Sequence, residues 1–304
     1  MTYRILHRTT YNYSEPVTVS HHSARVNPRF TAMQTRSQFA LRITPEPAVR
    51  KTRTDYFGNR VCFFAIQEIH SRLEVEAMSV VTLTASTPPA LTLSPPWTEV
   101  AELFRDPVSP EVVDEYQFCF DSPLLRAAPE LADYARGSFA AGTPLLVGVA
   151  SLNQRIFRDF VYDPVATNVA TPLEEVWAKR RGVCQDFAHL AIAGLRSLGL
   201  PARYVSGYLR THAPPGRQRL VGADASHAWF SVYCPSVGWV DFDPTNNLLA
   251  GEEHITVAYG RDYSDVSPVG GIITGGGHHE VRVSVDVEPL GDSEAAGEEK
   301  PDDQ

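Results

Sequence analysis

Cysteine is scarce in this chain. Four stand in 304 residues, Cys62, Cys119, Cys184 and Cys234, far apart and with no CxxC. No spaced Cys/His pairs accompany them, so a structural zinc module is excluded and no metal or cofactor is expected. Long hydrophobic runs are missing as well. No stretch of eighteen apolar residues occurs, so no membrane span is expected. The opening MTYRILHRTTYNYSEP has no apolar core of a secretory leader, which points to a reducing cytosol with free thiols. Positive charge is short: 27 Lys and Arg face 36 Asp and Glu, a net of −9. Without a basic face to displace counterions from phosphates, nucleic-acid binding is excluded. No P-loop, no acidic loop of calcium-binding spacing and no internal repeat is found. "GGIITGGG" (270–277) lacks the strand–glycine–helix context of a nucleotide loop and reads as a turn. The His-His pairs at 21–22 and 278–279 point their rings to opposite faces of a strand, which does not suit a metal.

What is present reads as a soluble α+β protein. Residues 1–87 are strand-like. Between Ile69 and Val81, Leu73, Val75 and Ala77 alternate with Arg72, Glu74 and Glu76, the mark of a half-buried antiparallel strand. With "DYFGNR" (55–60) as a turn, this region is expected to be an antiparallel β-sandwich. "STPPALTLSPPW" is too rich in proline for helix or central strand, so 88–97 reads as a linker. A second domain, 98–290, begins helical. Helices are expected from Ser109, from Pro129, over Leu146–Phe160, and over Cys184–Leu198, the last closed by Gly199 and Pro201. Strands follow at Ala202–Leu209, His227–Tyr233 and Gly238–Asp243, with a late one over 281–289. The tail 291–304 holds six acids and one lysine and reads as disordered.

Cys184 stands two residues after Gly182, at the start of a helix-like run. A thiol at a helix N-terminus faces unpaired N–H groups and the positive end of the macrodipole, which favour the thiolate. Gly182 suits a tight entry, and Arg180 and Arg181 bring positive charge. Asp186 fits a first-turn acid. A nucleophilic thiol needs a base, and the base needs an orienting group. In "SHAWFSVYCPSVGWVDFDPTNN" (226–247), His227 opens one strand and Asp243 closes the next. A hairpin centred on Pro235 sets His227 directly opposite Asp243, Trp229 opposite Asp241 and Ser231 opposite Trp239. Directly opposed Cβ atoms lie about 5 Å apart, within hydrogen-bonding reach of an imidazole and a carboxylate. Taken singly, Cys184 fits a small core residue, His227 a polar strand end and Asp243 a turn before proline. The order helix-Cys, strand-His, strand-Asp is what argues for chemistry. The Cys184 N–H can hold one side of an oxyanion. For the second donor, or the substrate cleft, the candidates are Gln185, Tyr162 and Trp229. Trp229 and Trp239 also suit packing around the histidine and the sheet.

"RRGVCQDFAHLAIAGLRSLGLPARYVSGYL" (180–209), "SHAWFSVYCPSVGWVDFDPTNN" and "GRDYSDVSPVGG" (260–271) together resemble the bacterial transglutaminase-like superfamily, within the papain-like cysteine enzymes. Residues 1–85 resemble the β-rich region that precedes the bacterial core. The resemblance implies Cys184 as nucleophile, His227 as base and Asp243 as orienter, acting through a thioester. It also implies a papain-like core with the nucleophile helix packed on an antiparallel sheet. The oxyanion-binding tryptophan of the animal enzymes has no counterpart here. The expected activity is hydrolysis of amide bonds in peptides or proteins. Protein-glutamine acyltransfer, deamidation, and a scaffold that has lost catalysis are the alternatives.

Overall fold

The computed structural model describes residues 1–105, 110–211 and 225–291, and the side chains of all of these except 110, 111 and 225. The proposed tail, and the Ser109 helix cap, fall outside them. The N-terminal part contains β1 (Thr2–Ala24), β2 (Gln34–Thr44), β3 (Val49–Thr54), β4 (Arg60–Ile66) and β5 (His70–Leu83). Helices follow: α1 (Trp97–Leu103), α2 (Pro110–Tyr116), α3 (Pro129–Arg136) and α4 (Leu145–Asp159). Then come β6 (Val161–Tyr162), α5 (Leu173–Lys179), β7 (Arg181–Gly182) and α6 (Cys184–Arg196). The rest is β8 (Ala202–Leu209), β9 (Ala225–Cys234), β10 (Gly238–Asp243), β11 (Leu248–Leu249), β12 (His254–Gly260), α7 (Tyr263–Val266), β13 (Val269–Gly275) and β14 (His279–Leu290).

The fold is α+β, built on two antiparallel sheets. One has the order β2-β5-β1-β4-β3, with β13 and β14 also paired to β1. The alternation in β5 faces Leu73, Val75 and Ala77 inward, where they meet Leu41 and Ile43 of β2 and Phe64 and Ile66 of β4. The ladder between β1 and β5 shifts register between Asn12 and Val17; beyond that point Val17 and Ala24 of β1 enter this core, whereas Tyr3 and Ile5 before it enter the other. One expectation is corrected. The strand at 281–289 does not join the second sheet: β14 pairs along β1 from Thr2–Leu290 to Tyr13–His279. The N-terminal sheet is therefore made from both ends of the chain. Local alternation identifies a strand but not its partner, since pairing is decided by edges brought together in space.

The second sheet has the order β11-β10-β9-β8-β12. The α6 helix packs on it, with the His189 ring against Tyr204 of β8, while Phe187 turns to Phe160 and Tyr162 and Gly194 to α3 and α4. Arg196, at the last turn of α6, is buried and donates to the carbonyls of Phe118, Ala202 and Arg261 and to Ser122 Oγ. It pins the helix end to β8 and two loops. The two halves of the molecule share one core, because Tyr3, Ile5, Val81, Val285 and Val287 belong to the same apolar cluster as the α6 helix. His7 Nδ1 and Tyr208 Oη, 3.0 Å apart and buried, add a polar contact across that junction.

Candidate active site

Cys184 is the first residue of α6, and Val183 precedes it in extended conformation. The helix entry is closed by Asp186, whose Oδ2 accepts from the Val183 N–H at 2.8 Å and from Thr167 Oγ1 at 2.6 Å. The first-turn acid therefore acts as a cap from within the helix. Gly182 is needed for this: a Cβ there would lie 2.5 Å from the same Asp186 oxygen. Burial pushes the Asp186 carboxyl up, against the lowering effect of its two hydrogen bonds. The neighbouring arginines do not serve the thiol as expected. Arg180 lies over the Trp177 ring at 3.5 Å, and Arg181 pairs with Asp163 at 3.2 Å.

The hairpin differs from its expected register by two residues. Gly238 pairs with Cys234, Trp239 with Tyr233 and Asp241 with Ser231. The loop is centred on Ser236 because Gly238 takes the left-handed conformation (φ +82°) that closes a three-residue turn, with Val237 N–H donating to Cys234 O. A slip of two preserves the face, whereas a slip of one would reverse it. His227 and Asp243 are therefore diagonal neighbours on one face, and their side chains meet: His227 Nε2 lies 2.8 Å from Asp243 Oδ2. Cys184 lies near enough to the same imidazole to help raise its pKa. With Nε2 held by Asp243, the sulfur is left Nδ1.

Asp243 is fully buried and collects five N–H donors. Its Oδ1 accepts from the backbone of Thr245 (2.9 Å) and Asn246 (3.1 Å). Its Oδ2 accepts from His227, from Asn246 Nδ2 (2.7 Å) and from His254 Nε2 (3.1 Å). Burial by itself would raise this carboxyl, but the hydrogen bonds from His227, His254 and Asn246 and the His227 charge hold it well below the usual carboxylate range. For His227, burial disfavours the charge, yet the hydrogen bonds and charges of Asp243 and Cys184 raise it to about 10. A protonated imidazole beside the sulfur is what an attacking thiolate requires.

His227, Asp243 and His254 bring their ligand atoms within 4.8 Å of one another, close enough for a metal. The hydrogen bonding argues otherwise. His254 Nδ1 faces the Gly251 N–H at 3.3 Å and so carries no proton. The ring proton sits on Nε2, which donates to Asp243 and has no lone pair for an ion.

The other candidate residues separate. Tyr162, on β6, is half exposed and lies beside the Cys184 segment, because β6 and β7 pair in parallel with Tyr162 opposite Gly182. Burial and the Cys184 charge raise its phenol, which keeps it a donor. Gln185 is buried and, with Asp186, His189, Leu173 and Trp177, lines a cavity of about 240 Å³ between the helices, a lining that does not include Cys184. Trp229 is not a cleft residue. It is wholly buried, donates from Nε1 to Asp241 Oδ2 at 3.0 Å, and packs against the rings of His227 and His254. Asn246 and His254 were not found in the sequence. Asn246 is legible in retrospect, three residues after Asp243 in a turn. His254 carries no local signal, since it reaches the site from β12 at the far edge of the sheet.

Residues 3–82 match the Bacterial transglutaminase-like N-terminal region, and residues 132–244 match the Transglutaminase-like superfamily. The chain is 41% identical to the uncharacterized protein Rv2569c of Mycobacterium tuberculosis, over 95% of this chain and 93% of that one. It is 35% identical to a protein-glutamine gamma-glutamyltransferase of Pseudomonas aeruginosa, over 41% of this chain and 18% of the other. The crystal structure of a candidate cysteine protease from Cytophaga hutchinsonii superposes with a TM-score of 0.72 at 22% identity, covering 96% of this chain and 92% of that one. That likeness speaks to the fold.

Proposed function

The chain belongs to the transglutaminase-like superfamily, and from that premise we propose that it is a thiol enzyme that hydrolyses amide bonds in peptides or proteins. The observation that carries this reading is the His227–Asp243 pair, 2.8 Å apart, with Cys184 at the N-terminus of α6 near enough to help raise the imidazole. Cys184 attacks the carbonyl carbon as thiolate. The Cys184 backbone N–H, with Tyr162 as second donor, faces the oxyanion. The His227 imidazolium protonates the leaving amine, and the C–N bond breaks to leave a thioester. His227, now neutral, takes a proton from water, which attacks the thioester and releases acid and free thiol. Asp243 keeps the ring oriented and its charge compensated throughout. Hydrolysis is favoured over transfer because water reaches a half-buried sulfur without a dedicated acceptor site. Four unpaired cysteines suit a reducing compartment, and we place the enzyme in the cytosol.

The similarity to the Pseudomonas glutamyltransferase supports a second reading, acyl transfer from protein glutamine to an amine. The first experiment is the rate of Cys184 alkylation by iodoacetamide against pH, in wild type and His227→Ala, with the modified cysteine identified by peptide mass spectrometry. Fast alkylation at pH 6 that is lost in His227→Ala is expected. Slow alkylation in both would end the enzyme reading and favour a scaffold. Casein incubated with dansylcadaverine then separates the two chemistries. Hydrolysis predicts new chain ends, or ammonia if a side-chain amide is cut, without label uptake. Label uptake that requires Cys184 would establish transfer.

A further inference from the structure

Resting on the thiol–imidazole–carboxylate reading above, we infer that His254 is a positioning residue of this site: a neutral imidazole, locked with its proton on Nε2, that fixes the Asp243 carboxylate against His227. It contacts neither the sulfur nor the substrate and acts through Asp243.

Three observations carry this. First, the tautomer is dictated from behind. Gly251 N–H points at Nδ1 (3.3 Å), so only Nε2 can donate, and it donates to Asp243 Oδ2 at 3.1 Å. Second, the oxygen it holds is the one that holds His227 at 2.8 Å. Asn246 Nδ2 approaches the same oxygen from the turn, so His254 supplies the counter-hold from across the sheet. Third, the ring cannot turn away. It is buried, and the Trp229 indole meets it edge to face at 5.2 Å and 86°. Trp229 is in turn tied to Asp241. The chain makes room for this stack at Gly207, where a Cβ would lie 2.5 Å from the Trp229 ring and 2.2 Å from the Ile255 carbonyl oxygen. The titratable groups that face the His254 ring are Asp243 from β10 and His227 from β9. A carboxylate whose Oδ2 is held by two imidazoles at once cannot rotate about its Cβ–Cγ bond without giving one of them up.

The test uses the full chain and needs no substrate. Alkylation of Cys184 by iodoacetamide is followed from pH 5 to 10 in wild type, His254→Phe and His254→Gln. The expected result for His254→Phe is alkylation about tenfold slower at pH 6, equivalent to a displacement of the profile by about one pH unit. His254→Gln, whose side-chain amide can donate towards the same oxygen, is expected to restore most of the rate. A folded His254→Phe with an unchanged or faster profile would overturn the inference. Should His254→Phe fail to fold, ¹⁵N spectra of histidine-labelled wild type decide instead. They must show His254 as the Nε2–H tautomer; the Nδ1–H form, or a charged ring at pH 7, would overturn it. If wild-type Cys184 is itself inert at pH 6, the enzyme reading fails, and the tautomer measurement still decides what His254 does.

Discussion

At the scale of single residues, the site depends on one carboxylate that five N–H groups keep charged in a fully buried place. Asp243→Asn would present an amide N–H₂ or a single carbonyl to a cluster of donors, so at least one buried donor loses its partner. We expect alkylation of Cys184 at pH 6 to fall by about 100-fold or more, and stability to drop by about 2–3 kcal/mol, read from urea unfolding. The signs of the pH effects follow from the two shifts. Asp243 is held below its unfolded value, so its contribution is present above about pH 4 and fades as pH falls towards its folded value. His227 is raised from 6.5 to about 10, so its contribution is complete below about pH 6.5 and is lost as pH rises through about 10. The difference in melting temperature between wild type and His227→Ala is therefore expected to be largest at pH 6 and to shrink as pH rises through 10, leaving only the pH-independent loss of packing. A difference that grows with pH would contradict this.

At the scale of elements, strands place His227 and Asp243 while a helix places Cys184, and small residues set how closely these can approach. Gly207 on β8 pairs with His227 on β9, and its missing side chain is filled by Trp229. Gly207→Ala must displace either the β12 backbone at Ile255 or the buried Trp229 indole. The expectation is a loss of about 2–3 kcal/mol, with Trp229 fluorescence changed and Cys184 alkylation slowed. An alanine variant with wild-type stability would mean that β8 and β12 separate freely. Arg196 plays the corresponding part for α6. Replacing it by leucine leaves three carbonyls without their donor, and a drop of about 3 kcal/mol is expected in thermal or urea melts.

At the scale of the whole molecule, the N-terminal sheet and the enzyme-like core are one folding unit. β14 completes the sheet begun by β1, and Val285 and Val287 enter the shared core beside Tyr3 and Ile5. Residues 98–290 expressed alone would therefore expose an unpaired β14 and an apolar face. They are expected to be insoluble or molten, judged by near-ultraviolet circular dichroism, whereas the full chain melts cooperatively. Buried histidines set a second property of the whole. Burial lowers His7, His22 and His189 from 6.5 to about 4. The unfolded chain binds their protons first, so stability is complete above about pH 6.5 and declines as pH falls towards 4. A falling melting temperature across that interval, shallower in His7→Phe, would match. Among the described residues no helix is long and apolar enough to cross a membrane.

Much of this was legible one segment at a time. Period-two alternation marks β5, the 3.6-residue stripe and terminal Gly199 mark α6, and β8 and β10 coincide with their expected spans. Cys184 and Asp243 could be singled out at element boundaries, and His227 by its place near the start of β9. The sequence by itself determined the α4 and α6 helices, the alternation of β5, and Cys184, His227 and Asp243 as candidates, since these follow from neighbours along the chain; α1, α5 and α7 were not legible in it. Only the tertiary structure decided the two-residue shift of the hairpin, the capture of β14 by β1, the burial of Trp229 and the approach of His254 to Asp243. Each of these depends on which strand edges and side chains meet across the fold, and such pairings are set by packing between segments rather than by the residues within any one of them.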